Sequence, residues 1–228
     1  MFAQINHMAI ISPHYATLEK FYQAVFGLKP SQKTRPGAAA TTGDGYVGLN
    51  LIPRRDGYVG GIDHFGLSVE DVEPVLARMQ KKHKRANIVK RPSARPFAAY
   101  SGHDPDAEEC AAFYRDVFEL EPVNRPGAPG YHLTDGRVTL SLLPWSIPVF
   151  EGMSIKRPGP DHIGFHVEDL AEFKKHAAEI AGANPYLAPV PLGGSPESDV
   201  RKRLFEKSAG GKFQMSDPDG NWIDVTDE

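Results

Sequence analysis

Hydrophobic and polar positions along this chain follow two rhythms, one of period two and one of period 3.6. Residues 4–11 (Gln-Ile-Asn-His-Met-Ala-Ile-Ile) keep the strand period, with Ile5, His7, Ala9 and Ile11 on one face. Ser12-Pro13 ends that run, and Leu18, Phe21, Tyr22 and Val25 then recur at the spacing of one helical face. Gly27 falls where a helix C-terminus favours a left-handed residue. Residues 37–45 read as a turn or weak strand, and Tyr46 to Pro53 as a firm one. A strand opening at Asp63 precedes a helix marked by Val72, Val75, Leu76 and Met79, and Cys110, Phe113, Tyr114 and Val117 mark another. At 213–225, two strands flank a tight turn, Asp217-Pro218-Asp219-Gly220-Asn221. Strands and helices intermingle, which predicts an α+β fold.

The pattern also repeats. Phe21 to Pro30 recurs as Phe113 to Pro122 at a shift of 92 residues, and Leu49 to Pro53 as Leu140 to Pro144 at a shift of 91. Asp63-His64-Phe65-Gly66-Leu67-Ser68-Val69-Glu70-Asp71 returns as Asp161-His162-Ile163-Gly164-Phe165-His166-Val167-Glu168-Asp169. Three blocks in one order at nearly one shift predict an internal duplication. The halves are 1–105 and 106–228, each holding two strand–helix–strands modules that start near residues 4, 61, 97 and 160. The first half reaches its closing turn at His103-Asp104-Pro105-Asp106 and runs directly into the next helix. The returning strand of module 2 and the entering strand of module 3 are therefore missing or merged. In the doubled strand, His64, Gly66 and Ser68 share one face, as do His162, Gly164 and His166, opposite an apolar face.

Composition narrows the classes. Hydrophobic residues make up 40% and charged residues 24%, ordinary for a soluble globular chain. A net charge of −3 offers nucleic acid and anionic membranes no general attraction. The cluster Lys81, Lys82, Lys84, Arg85, Lys90 and Arg91 reads as a solvated helix C-terminus favoured by the helix dipole. No apolar run reaches the roughly 20 residues of a spanning helix, and residues 1–7 lack the features of a signal peptide. The single cysteine, Cys110, sits on an apolar helical face, where a buried thiol is expected rather than a nucleophile. A cytoplasmic protein without disulfides is the expectation.

The His-bearing first strand, Phe-Tyr-x-x-Val-Phe-Gly-Leu, Asp-His-x-Gly-x-x-Val-Glu-Asp and the closing Asp-Pro-Asp-Gly-Asn-x-Ile-Asp together resemble the vicinal oxygen chelate superfamily. That superfamily holds glyoxalase I, extradiol ring-cleaving dioxygenases and bleomycin-resistance proteins. The resemblance implies four βαβββ modules, two of them degenerate, forming two half-open mixed β barrels with helices outside. It also implies a divalent metal held by His, Glu or Gln from the first and last strand of each module. Carried over by position, first strands offer His7, His64 and His162, with Ala99 at that place in module 3. Last strands offer Asn50, Ser141 and Asp224, the last standing where the family has Glu.

Pairing of the modules decides which of these meet. Pairing within halves leaves His7, His64 and Asn50 in one barrel, and His162, Asp224 and Ser141 in the other. Pairing module 1 with module 4 gathers His7, His162 and Asp224, a 2-His-1-carboxylate set suited to Fe2+, with Mn2+, Ni2+ or Zn2+ as alternatives. The exchanged pairing is favoured because it collects every loss in one barrel, leaving His64 as a relic or partner-binding residue. Each His can equally be a packed strand residue, and Asp224 a strand-end acid. His166 shares a face with His162 and is a candidate base or proton donor.

The resemblance implies a metal-dependent enzyme acting on a small oxygenated compound, aromatic compounds included. Ring-cleaving dioxygenase chemistry leads, because it needs three protein ligands and open positions. A glyoxalase or isomerase type of lyase comes second. A metal-free, ligand-sequestering protein of the bleomycin-resistance type is the alternative from another class. Residues 198–207 predict a short amphipathic helix between glycine pairs, a lid or an ordinary surface excursion. Tyr46, Tyr131, Trp145 and Trp222 line a pocket or pack the core. Sheet edges bared by missing strands are open to a second copy of the chain, so a homodimer is one expectation.

Overall fold

A computed structural model describes residues 3–31, 39–57, 60–84, 86–89, 97–100, 107–143, 160–208 and 211–228. Trp145 and the turn at His103–Asp106 lie outside them. The first module comprises β1 (Ala3–Ser12), α1 (Tyr15–Phe26), β2 (Lys29–Pro30), β3 (Ala40–Gly43) and β4 (Gly48–Pro53). Then come β5 (Gly61–Val69), α2 (Val72–Lys82), β6 (Ala86–Val89) and β7 (Phe97–Tyr100). The second half supplies α3 (Ala107–Phe118), β8 (Glu121–Pro122), β9 (Tyr131–Thr134) and β10 (Thr139–Leu142). It ends with β11 (His162–His166), α4 (Leu170–Ala183), α5 (Pro196–Ser208), β12 (Phe213–Ser216) and β13 (Trp222–Thr226). The fold is mixed α+β. No described helix is long and apolar enough to cross a membrane.

Among the described residues four sheets are formed, in the orders β2-β3-β4-β1-β5, β10-β9-β8, β11-β13-β12 and β6-β7. β1 and β4 run parallel, pairing His7 with Gly48 and Ala9 with Asn50, and β11 and β13 do likewise, pairing Gly164 with Asp224. Between β6 and α3, β7 is the one strand among the described residues. Between α4 and β12, where a βαβββ unit would have its second strand, the described residues hold a short 3-10 turn and α5.

The chain divides into two compact units, Met1–Ile5 with Leu67–Pro158, and Asn6–Gly66 with Gly159–Glu228. Each draws on both halves of the sequence, and the boundaries fall inside β1 and β5. In the second unit, Leu18, Phe21, Tyr22 and Val25 of α1 are buried with Phe173 and Ala177 of α4 and Met215, Ile223 and Val225 of the last hairpin. Phe26 stacks on Phe165 at 4.0 Å, and Ala24 accepts a hydrogen bond from His176 Nε2 at 2.8 Å. The apolar face of β11 thus packs inward, while His166 on its other face is exposed. The two pairings considered above are each used for a different purpose. Hydrogen bonding sets the first strand of module 2 beside β1, and side-chain packing joins modules 1 and 4.

In the other unit, α2 and α3 bury Val75 and Met79 with Phe113 and Val117, and Leu120 and Leu133 close a neighbouring cluster. Phe113 and Tyr114 meet at 5.2 Å and 80°, the same geometry as Phe21 and Tyr22. Helix ends follow their sequence signals. Asp71 and Asp169, which close the two copies of the nine-residue stretch, cap α2 and α4 by accepting N–H groups of Glu73 and of Ala171 and Glu172. Gly27 ends α1 at φ +67°, and Glu119 takes the equivalent left-handed place after α3 at φ +58°.

Candidate functional site

Each copy of the nine-residue stretch builds a carboxylate–imidazole pair. His64 Nδ1 lies 2.6 Å from Asp63, and His162 Nδ1 lies 2.9 Å from Asp161. An adjacent carboxylate that accepts a hydrogen bond from Nδ1–H fixes the tautomer with the ring proton on that nitrogen. On β1, His7 Nδ1 contacts Asn6 Oδ1 at 3.0 Å, and its ring meets that of His64 edge-on, with centroids 5.5 Å apart. Gly66 makes this possible: a Cβ there would stand 2.1 Å from His7 Cε1. The gap that the strand pattern places beside His64 is therefore filled by the His7 ring. Burial, and then the neighbouring His64, hold His7 below the ordinary imidazole range.

Asp224 is committed elsewhere. It is 6% exposed, its Oδ2 accepts from the Gly211 N–H at 2.7 Å, and its Oδ1 accepts from Gln214 Nε2 at 3.0 Å. Gln214 stands opposite it in the β12–β13 hairpin and donates also to the Gly211 carbonyl. The carboxylate thus ties the hairpin to the segment leading into it. Asn50 Oδ1 accepts from Thr41 Oγ1, and Ser141 pairs with His132. Ala99 lies on β7 opposite Asn87.

The structure brings His7 to His64, and does not gather His7, His162 and Asp224 into one set. Among the described residues, no three His, Cys, Asp or Glu side chains are placed to hold a metal ion. Among the described residues, no donor set for a resident divalent metal is assembled. Both Asp224 oxygens already accept hydrogen bonds, and His7 is turned toward a second imidazole rather than a carboxylate.

The closing turn forms a densely bonded polar cluster. Asp217 is fully buried and accepts from Tyr22 Oη at 3.0 Å, Asn221 Nδ2 at 2.7 Å, and the N–H groups of Asp219 and Asn221, both at 2.9 Å. Burial raises its pKa despite these bonds, and raises that of Tyr22 as well. Asp219 contacts His14 Nδ1 at 2.8 Å and accepts a very short bond from Ser12 Oγ. Beside this turn opens a cleft of about 520 Å³, lined by His14, Arg54, Asp161, Asp219 and Trp222 among others. Such a volume is in the range of small-molecule sites.

His132 is the residue that the strand and helix patterns passed over. It is 8% exposed, its Nδ1 lies 2.9 Å from Ser141 Oγ, and its Nε2 is buried without a hydrogen-bond partner. Burial and the Arg125 guanidinium lower its pKa. A backbone interaction with Pro129 pulls the other way. The 91-residue shift was the available signal, because it aligns Thr41 and Asn50, a bonded pair, with His132 and Ser141.

Residues 4–106 match the sequence model of the Glyoxalase/Bleomycin resistance protein/Dioxygenase superfamily. Through this stretch the chain is similar to that superfamily. No curated protein matches this chain in sequence. Its fold is similar to that of the 2,3-dioxygenase LapB from Pseudomonas sp. KL28, with a TM-score of 0.56 at 14% identity, covering 97% of this chain and 91% of LapB. A variant of 4-hydroxymandelate synthase from Streptomyces coelicolor gives a TM-score of 0.52 at 13% identity, covering 99% and 92% of the two chains. At such identities the likeness extends to the fold alone.

Proposed function

We propose that this protein is a small-molecule-binding protein of the metal-free, bleomycin-resistance type, taking a small oxygenated compound with an aromatic ring. The observation that carries this reading is the state of Asp224. A metal ion there would compete with the hydrogen bonds that the carboxylate already accepts from the part-buried Gly211 N–H and from Gln214 Nε2. His7 and His64 supply the polar contacts instead. With Nδ1 taken by Asn6 and by Asp63, each presents Nε2 to a ligand hydroxyl.

A second reading, a metal-dependent ring-cleaving dioxygenase or glyoxalase-type lyase, is favoured by one feature. Asp63–His64 and Asp161–His162 are carboxylate–imidazole pairs of the kind that orient metal-ligating histidines.

The two readings separate by metal analysis of protein purified without chelator and then offered Fe2+, Mn2+, Ni2+ or Zn2+, alongside titration with catechol. Saturable catechol binding to metal-free protein, weakened in His7→Ala, is the expected result. Stoichiometric metal that disappears in both His64→Ala and His162→Ala would overturn the binding-protein reading.

A further inference from the structure

We propose that the cleft beside the closing turn is a separate binding site for a small primary ammonium compound, its charged head held among His14, Asp161, Asp219 and Asn221. Every residue lining the cleft belongs to the unit formed by Asn6–Gly66 and Gly159–Glu228, and neither His7 nor His64 is among them. Apart from its polar side chains and Trp222, the lining is glycine, proline and isoleucine, which suits an apolar body behind the head. A volume of about 520 Å³ holds such a compound entire.

Two independent features point to a ligand that brings hydrogen-bond donors and positive charge. The first is Asn221. It is 8% exposed, and its Nδ2 donates to Asp217 at 2.7 Å, which turns Oδ1 the other way. Oδ1 stands 3.7 Å from where a Cβ on Gly61 would be, and Gly61 lines the cleft. Among the described residues this oxygen accepts no hydrogen bond, and it is not sealed from solvent. Buried polar groups are nearly always satisfied, so an open acceptor on so buried an amide marks a place for an incoming donor.

The second feature is the set of acceptors around it. Asp219 accepts from His14 Nδ1 at 2.8 Å, so the neutral His14 ring carries its acceptor on Nε2, and that side chain is 68% exposed. Asp161 bonds to His162 through Oδ2, is about half exposed, and keeps lone pairs for a further donor. Against these two carboxylates the lining sets one arginine, Arg54, so its charge leans negative. An ammonium head supplies three N–H donors and no acceptor, which matches this set; a carboxylate or phosphate would meet lone pairs instead.

The turn holds these acceptors in place. Ser12, fully buried, donates to Asp219 in a very short bond and accepts the backbone N–H of His14 at 2.7 Å, so one hydroxyl fixes both members of the His14–Asp219 pair. Asp217 accepts the N–H groups of Asp219 and Asn221, both at 2.9 Å, and Gly220 between them takes φ +84°. A site fixed beforehand in this way needs little ordering when its ligand arrives. It uses none of the residues assigned to the ligand proposed above, and its test is independent of that reading.

The experiment is a titration of the whole protein with benzylamine, benzyl alcohol and benzoate in turn, at low ionic strength and about pH 8, where alkylamines are charged and imidazoles generally neutral. It is followed through the indole N–H signal of Trp222 in heteronuclear NMR, assigned by comparison with Trp145→Phe. The expected result is a saturable shift with benzylamine in the millimolar range or tighter, weakened roughly tenfold in His14→Ala and in Asp161→Asn and unchanged in Glu179→Gln. Benzyl alcohol and benzoate should bind at least tenfold more weakly. No saturable shift with benzylamine overturns the proposal, as does benzyl alcohol binding equally well. So does benzylamine binding that either His14→Ala or Asp161→Asn leaves intact while circular dichroism reports a folded protein.

Discussion

The cluster around Asp217 makes the sharpest energetic prediction. Asp217→Ala removes the acceptor of four hydrogen bonds and strands the buried Tyr22 hydroxyl and Asn221 amide. Buried donors left unpaired cost about 1–3 kcal/mol each, so the two side chains alone imply a loss of about 4 kcal/mol. Tyr22→Phe removes a single bond to a charged acceptor, for which about 2 kcal/mol is expected. Because both substitutions break the same contact, the double variant should lose about 4 rather than 6 kcal/mol, a coupling near 2. Urea unfolding followed by tryptophan fluorescence measures this. In a Trp145→Phe background, the remaining indole, Trp222, is 6% exposed and lies one residue beyond the cluster. The pH dependence supplies a second check. Burial raises the pKa of Asp217 in the fold, so folding favours its protonated form. Its contribution is therefore complete below the ordinary carboxylate pKa of 3.8 and is lost as pH rises through the raised folded value. Wild type should accordingly lose stability relative to Asp217→Asn over that window. A loss below 1 kcal/mol for Asp217→Ala, or strict additivity of the double variant, would refute the reasoning.

Three further outcomes follow from the geometry. Gly66→Ala should swing the His7 ring off β5 and cost about 1 kcal/mol, the low end of overpacking, since the displaced group is half-exposed; the His7 ring signals in NMR would report the move. His7 has a lowered pKa, so its contribution to stability is full above pH 6.5 and is lost as pH falls through the depressed folded value; His64→Gln should raise the His7 pKa in an NMR titration and lessen that acid-side loss. Gly27→Ala should destabilise by about 1 kcal/mol in thermal unfolding, because φ +67° penalises any Cβ although nothing lies within 4 Å of one there.

Much of this fold could be read from the chain because its signals are local. The spacing of Leu18, Phe21, Tyr22 and Val25 located α1, all four are buried, and Gly27 marked its end. The repeated Asp-His stretch foretold a strand with one apolar face, and its closing aspartates proved to be helix caps. The pairing of strands was a different kind of question. Any exposed strand edge satisfies backbone hydrogen bonds, and nothing in a linear pattern says which edge β1 will meet. Side-chain partners were similarly hidden. A strand-end Asp reads the same whether it faces a metal or, like Asp224, a backbone N–H and a glutamine amide. His132 gave no periodic signal at all, since a polar residue in a four-residue strand looks like an ordinary solvent-facing position.

The contact between Ser12 and Asp219 spans 207 positions, and Phe26 stacks on Phe165 across 139. Both lie in a unit assembled from two separated stretches of chain. During synthesis at about 5–20 residues per second, α1 therefore leaves the ribosome on the order of ten seconds before the helix and hairpin that cover its aromatic side. Phe21, Tyr22 and Phe26 spend that interval as an unshielded sticky stripe, with Tyr22 lacking the acceptor that Asp217 later provides. Expression yield should thus respond to translation pace and chaperone supply more strongly than equilibrium stability alone would suggest, and a slowed ribosome between the two stretches would lengthen the exposure.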